Sequence, residues 1–427
     1  MLSSEQLSVV LDSKGRKYET GKAAPESKSS AMKKQRILIS GAGIAGSSLA
    51  HWLLHYGFEP ALIERAPAFR EGGYMIDVWG TGHDIVERYG LLEPARQRGY
   101  VFDRLKFVDA RGKEVSGCGG AVFRRALGGK FFSIPRGDLA RTIYNTIDNR
   151  AETLYGTSIH AFHQDVDGVD VEFSTREERR FDLLIGADGL HSRVRELAFG
   201  AEVQFEKYLG YVAASFIANG YPHRDEATYV SFAKPGRQIS RYAMRQDQST
   251  FLLVFAEKNK PAIAAHDSAA QKALLHSKFA NDGWEAPEIL NQLDATNDLY
   301  FDAVSQIRMA RWTKGRVALV GDAAHSPSLL AGAGAAFAML GAYILAEELH
   351  AVGGDFGRAF RVYEQRLQPF ILRQQNAAVG FASSFTPKTT LGVFLRDCVL
   401  NLMNVPIVGV WLARRMLGDS FPLPEYR

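Results

Sequence analysis

Three glycine-bearing segments carry residue types that could cradle a phosphorylated cofactor. The first is Gly41-Ala42-Gly43-Ile44-Ala45-Gly46, a GxGxxG turn directly after the apolar run Ile37-Leu38-Ile39. In such a turn the first glycine allows the sharp reversal. The second lets the N–H groups around Ile44 and Ala45 approach a pyrophosphate, and the third lets helix and strand pack closely. The N-terminus of the following helix adds positive potential. Glu64 closes the second apolar run, Pro60 to Glu64, about twenty residues further on, where a carboxylate can accept both hydroxyls of an unphosphorylated adenosine ribose. GxGxxG alone is weak. With strand, helix and acid in register it reads as a dinucleotide site, and a purely structural glycine turn would give no reason for Glu64.

The second segment, Asp188-Gly189-Leu190-His191-Ser192-Arg193-Val194-Arg195, has the pattern DGxxSxxR after an apolar strand. The third runs from Gly315 through Val320 to Gly321-Asp322-Ala323-Ala324-His325 and on to Gly332-Ala333-Gly334. Gly321 lets a ligand lie against the strand end, and Asp322 can accept a hydroxyl from a polyol chain. The Gly332–Gly334 turn opens a helix whose N–H groups could stabilise electron density on a reduced flavin ring. These two segments separate FAD from NAD, which the first does not. Ser192 reads as a helix cap rather than a nucleophile. His325 reads as a hydrogen-bonding partner of its own turn.

The elements that would position these residues follow an α/β plan: a Rossmann-like GxGxxG domain, an inserted β-sheet substrate domain and a C-terminal helix. Leu49, Trp52, Leu53 and Tyr56 mark one face of the first helix, which Gly57 stops. Residues 102–116 read as a hairpin turning at Arg111-Gly112, Asp138 to Asn149 as a helix, and Phe181 to Ala187 as one apolar strand. Alternating strands fill 205–257, two short helices follow near 268–280 and 286–293, residues 301–321 return to strand, and Gly334 to His350 is helical. The expected division is a flexible tail at 1–31, a first part of the cofactor domain at 32–200, a β-rich substrate domain at 201–302, a second cofactor part at 303–380 and a helical segment at 381–427. The tail has neither the apolar core of a secretory signal nor the acid-poor character of a mitochondrial transit peptide.

Composition sets outer limits. The 427 residues are globular in character, and Lys+Arg 51 against Asp+Glu 47 is too balanced to point to nucleic acid. The 2 cysteines form no CxxC, which excludes a dithiol flavoenzyme and suits a reducing cytoplasm. The 11 histidines show no metal spacing, so no metal is expected. His51 and His55 share a helix face but lack a third ligand. Leu329 to Ala346 reads as a buried helix and Cys398 to Ala413 as a buried or docking helical segment, with a loose membrane-surface contact there as the minor alternative and no firm membrane association. A monomer is expected.

GxGxxG, DGxxSxxR and GDAAH, in this order and at these separations, resemble the single-component FAD aromatic hydroxylases typified by p-hydroxybenzoate hydroxylase. Within that family the chain is most similar to the tetracycline-inactivating flavin monooxygenases, through Gly72-Gly73 with Ile76-Asp77, Pro135-Arg136-Gly137-Asp138-Leu139 and Trp312-Thr313-Lys314-Gly315-Arg316. The resemblance implies FAD-dependent, NAD(P)H-consuming insertion of one oxygen atom of O2 into an aromatic or polyketide-like substrate. Tetracycline inactivation stands beside hydroxylation of a natural product or phenol. It also implies roles: Glu64 at the adenosine ribose, Arg65 beside adenine or pyrophosphate, Asp77 and Arg136 against the FAD, and Ile159 offering backbone groups to adenine. Asp188 would serve cofactor handling, Asp322 the ribityl or pyrophosphate region, and Gly321, Gly332 and Gly334 would lie along the ring system. No residue stands out as a catalytic acid or base, because the cofactor would carry the chemistry. The chain departs from the family at Leu329, Ala333 and Ala336, where Pro, Gln and often Asn are usual. A protein that binds flavin and sequesters a ligand or partner without turnover remains the alternative reading.

Overall fold

The computed structural model describes residues 9–11, 17–19, 34–69, 72–417 and 421–424. Two compact units result, residues 1–34 and 35–427. In the first, Val9–Leu11 and Lys17–Glu19 pair as an antiparallel ribbon, and the rest of the expected tail lies outside the described residues.

The second unit is built on two large sheets. The first has six strands in the order Thr313–Lys314, Val317–Leu319, Leu183–Gly186, Arg36–Ser40, Glu59–Glu64 and Glu152–Tyr155. All its pairings are parallel except that of the edge strand Thr313–Lys314. A parallel sheet must be covered on both faces, and its central strands read as apolar runs for that reason. Ile37, Leu38 and Ile39 are fully buried, as are Leu183, Leu184 and Ile185. The helices Ile44–His55 and Gly334–Ala351 pack on each other and on this sheet.

The second sheet has seven strands in the order Tyr300–Ile307, Glu206–Asn219, Gln248–Ala256, Arg237–Ala243, Thr228–Lys234, Arg104–Val108 and Glu114–Gly119. One face, with Val212, Ala214, Phe216, Leu253 and Phe255, packs on the helices Ser268–Phe279 and Ala286–Ala295. Residues of the opposite face, among them Tyr211, Ala213 and Val254, cluster with Leu329 and Leu330 from the third motif.

The structure departs from the sequence reading in four places. The hairpin at 102–116, assigned to the cofactor part, joins the seven-stranded sheet through a parallel pairing of Arg104–Val108 with Thr228–Lys234. The single strand expected at Phe181 to Ala187 is two, broken at Asp182. Glu178–Phe181 pairs in a three-stranded sheet, while the Asp182 carboxylate accepts the Arg36 N–H at 2.7 Å as the chain enters the main sheet. The helix expected from Asp138 to Asn149 spans Arg136–Tyr144, with Pro135 just before its first turn. The C-terminal apolar segment is not one buried helix. After the long helix Phe356–Phe385 come Thr390–Leu402 and Pro406–Leu417, separated ahead of Pro406, whose ring cannot continue a helix.

Candidate active site

The glycine turn shows three different constraints on its three glycines. Gly41 has φ +105°, and a Cβ there would stand 2.5 Å from the Ala187 carbonyl oxygen. A Cβ on Gly46 would fall inside the Gly41 carbonyl, so helix and strand touch backbone to backbone. Gly43 has nothing within 4 Å of its Cβ position. The turn is therefore jammed on its protein side and open where a pyrophosphate would lie, at the N-terminus of Ile44–His55. Gly189, φ +81°, is open in the same sense. Ile44 and Ala45 are buried in the first turn of that helix.

Glu64 sits beside this cradle. Its carboxylate accepts the N–H groups of Ala42 at 3.2 Å and Ala66 at 2.9 Å, which fixes the acid at the strand end next to the turn. Arg65 is exposed. Ile159 begins a strand of the small sheet, and its carbonyl accepts Arg193 Nε at 3.5 Å, which ties it to the second motif.

The second motif works as a staple. Asp188 accepts the Ser192 hydroxyl at 2.5 Å and the N–H groups of Arg193 and Val194 at 2.9 and 3.1 Å. Ser192 in turn accepts the Arg195 N–H at 3.0 Å, so it is the N-cap of Arg193–Phe199. Burial pushes the Asp188 carboxyl above the usual carboxylate range, partly offset by those donors. Arg195, to which the sequence reading gave no role, is fully buried. It donates to the carbonyls of Ala323 at 3.0 Å and Leu190 at 2.6 Å and to Glu202 at 2.8 Å, joining the second motif to the third.

Gly321 has φ +64° and precedes the short helix Asp322–His325. Gly332 follows in the left-handed region at φ +68°, and Gly334 opens Gly334–Ala351 with its Cβ position 3.6 Å from the Asp322 carboxylate. Asp322 thus lies at the start of that helix. Burial raises its pKa, and the Arg136 guanidinium opposes the shift. Arg136 is the first residue of its helix and donates its N–H to the Tyr74 carbonyl at 3.0 Å. The rings of Tyr74 and Tyr300 meet edge-on at 5.4 Å near the same charges, and burial pushes the Tyr74 phenol up to about 12. Tyr74, Tyr300 and Asp302 were not legible as site residues, because the segment before Met75–Trp79 and the strand Tyr300–Ile307 lie far apart in sequence and carry no motif.

Asp77 is not gathered with Arg136 and Asp322. It accepts the Ser133 hydroxyl at 2.5 Å across the ribbon Met75–Trp79 with Phe131–Pro135, and burial lifts its carboxyl to about 6. Two residues along, the Trp79 ring lies 3.3 Å from the Cβ position of Gly332. Trp79 also packs in an aromatic cluster with Phe131, Tyr229 and Tyr242, the last two at 4.4 Å between ring centroids. Ser328, just before the Gly332 turn, holds φ +105°, a strained value for a residue with a Cβ, and its buried hydroxyl has no partner. Nothing in the sequence marks it.

His325 corrects an expectation. Its backbone N–H bonds the Gly321 carbonyl, but neither ring nitrogen has a partner. The buried ring lies tilted against Trp312 at 4.6 Å between centroids, and desolvation lowers its pKa to about 4. It is a neutral packing residue. His51 bonds Thr146 Oγ1 at 2.8 Å.

A family model described as FAD binding domain matches residues 34–361. A protein named flavin-dependent monooxygenase, from an unknown prokaryotic organism, is 36% identical over 396 residues, covering 92% of this chain and 99% of its own. The chain belongs to the FAD-dependent monooxygenases. Among solved structures, this monooxygenase is similar to the tetracycline destructase Tet(55), with TM-score 0.78, 31% identity and coverage of 92% and 99% of the two chains. It shares its fold with Klebsiella pneumoniae HpxO complexed with FAD and uric acid, with TM-score 0.71, 23% identity and coverage of 90% and 97%. The open face of Gly43, with Glu64 bonded to the turn beside it, fits the dinucleotide portion of FAD.

One loop of the monooxygenase carries a pH-dependent lock. His191 bridges Glu202 at 3.0 Å and Asp302 at 3.1 Å, and these two carboxylates raise its pKa to about 9. The folded value lies above the ordinary 6.5, so the stability it contributes is complete below that value and is lost as pH rises through about 9. The side chain is 41% exposed, and solvent screening holds the contribution to about 1 kcal/mol at most. Urea titrations of wild type and His191→Gln at pH 6.5 and 9.5 are expected to differ at the lower pH and converge at the higher one.

Proposed function

We propose that this monooxygenase takes electrons from NAD(P)H and oxygenates an aromatic or polyketide-like small molecule, with tetracyclines as the first class to test. The observation that supports this reading is the aromatic cluster of Trp79, Tyr229 and Tyr242 between the ribbon and the seven-stranded sheet, where Trp79 abuts the Gly332 turn. FAD, when bound, supplies the redox chemistry.

The chain's own residues bind, orient and screen it. Gly43 and the N-terminus of Ile44–His55 would receive the pyrophosphate, Glu64 the adenosine ribose, and Asp322 with Arg136 the polyol. Arg65, exposed just past the strand end, would reach the adenine or pyrophosphate, and Ile159 would offer backbone groups. The N-terminus of Gly334–Ala351 would favour negative charge on the ring. Asp188 holds the second motif in register, and Asp77 stands at the ribbon edge beside Trp79. The apolar cluster of Leu329, Leu330, Tyr211 and Val254 keeps water from this side of the turn. A monomer in a reducing cytoplasm fits Cys118 buried and Cys398 exposed as free thiols.

The test is NADPH and NADH consumption by the purified yellow protein, with and without tetracyclines and simple phenols. Substrate-stimulated consumption, with a product one oxygen atom heavier, is the expected result. Bound FAD that neither donor reduces with any of these compounds present would favour ligand sequestration instead.

A further inference from the structure

The helix Thr390–Leu402 is amphipathic in the reverse sense. Leu391, Phe394, Leu395, Val399 and Leu402 follow one helical face and are 66%, 62%, 54%, 41% and 46% exposed. The inward face carries the charges. Arg396 pairs with Asp397 at 2.7 Å and lies 3.7 Å over the Phe107 ring, and Asp397 accepts the Ser116 hydroxyl at 2.8 Å. Asn401 and Asn404 bond the backbone of Gly117 at 3.2 and 2.7 Å. The next helix, Pro406–Leu417, turns out Ile407 at 85% and Trp411 at 57% exposure. A contiguous apolar face of this kind on a folded domain marks an interaction surface.

We propose that this face docks on an anionic lipid surface. Its charge decides between occupants. Asp397 is the only acid in either helix and is paired inward, whereas Arg414 and Arg415 are exposed beside the apolar stripe. Against a second copy of the chain, a twofold contact would bring the same uncompensated cations together. Against anionic headgroups the same cations are favourable. Trp411, with the Arg415 guanidinium 5.7 Å from its ring, joins an aromatic and a cation at the edge of the stripe, the pairing suited to headgroup depth. No helix among the described residues is long and apolar enough to cross a membrane, so the contact would lie in the interface plane. An open cavity of about 570 Å³ borders the start of the stripe at Thr389 and Gly392. It shares Leu209 and Tyr211 with the apolar cluster that contains Leu330, so an apolar compound partitioned into lipid would meet it directly.

The experiment is co-sedimentation of the full-length holoenzyme with vesicles of phosphatidylcholine alone or containing 30% phosphatidylglycerol, at low and at 0.5 M salt, with light scattering of the free protein in parallel. Binding is expected to the anionic vesicles and to weaken at high salt. Phe394→Asp with Val399→Asp is expected to weaken it about tenfold or more, and so is Arg414→Glu with Arg415→Glu, with flavin content and melting temperature kept in both. Absence of binding to anionic vesicles at low salt, or equal binding by both variants, would overturn the proposal. So would a concentration-dependent dimer that the apolar variant abolishes while vesicle binding is absent.

Discussion

Gly43→Ala is expected to leave a folded, stable apoprotein that has lost FAD affinity by about 100-fold or more. Gly43 has φ −76° and ψ −167°, which an alanine adopts without strain, and its Cβ position meets no protein atom within 4 Å. A methyl group there would point only into the space a pyrophosphate needs, at the start of Ile44–His55. The substitution costs the apoprotein no more than a helix-cap change, about 1 kcal/mol or less. Gly46→Ala is expected to behave in the opposite way. Its Cβ would fall within the Gly41 carbonyl, the two backbones cannot separate without opening the sheet, and about 3 kcal/mol or more of stability goes with them. Flavin titration together with thermal unfolding of both apoproteins separates the two effects. Equal loss of stability in both variants would contradict an open cradle at Gly43.

Arg195→Leu carries the second large effect. The guanidinium is fully buried, holds two carbonyls and Glu202, and links two cofactor motifs that are distant in sequence. Desolvation lowers its pKa, and the Glu202 carboxylate opposes that shift. Removing the guanidinium leaves the Ala323 and Leu190 carbonyls without this donor, while Glu202 keeps its His191 partner, so the expected cost is about 2–4 kcal/mol. The loss would release Ala323, next to Asp322, and FAD retention should fall with stability. Urea titration and flavin titration of the variant check this, and a variant as stable as wild type would contradict the linking role.

What the sequence revealed of the site is what local backbone chemistry dictates. A glycine turn jammed at Gly41 and Gly46 and open at Gly43 needs a strand before it and a helix after it, and all three are contiguous in residues 36–55. Ser192 as a cap is equally local, since its partner is three residues away. Positions set by long-range pairing were not legible. The hairpin at 102–116 could be read as a hairpin, but not as a member of the other sheet, because its parallel partner Thr228–Lys234 lies far along the chain. Trp79 reaches the Gly332 turn, and Tyr74, Tyr300 and Asp302 reach the neighbourhood of Arg136 and Asp322, from segments that carry no pattern. His325 was misread because a histidine in a polar motif suggests hydrogen bonds, whereas packing on Trp312 decides its environment. The C-terminal stripe shows the limit of periodicity itself. Leu391, Phe394 and Leu395 have helical spacing, which says that one face is apolar but not that the face is inward.

Oxygen insertion by this FAD-dependent monooxygenase is proposed to take place beside the Gly332 turn, next to the aromatic cluster of Trp79, Tyr229 and Tyr242. The direct measurement is turnover under 18O2 with NADPH and the compound that most stimulates its oxidation, followed by mass spectrometry of the product. One 18O atom in the product, absent when the label is supplied as water, is the predicted result. Full NADPH consumption with all the oxygen recovered as hydrogen peroxide and the compound unchanged, or a label that comes from water, would contradict it.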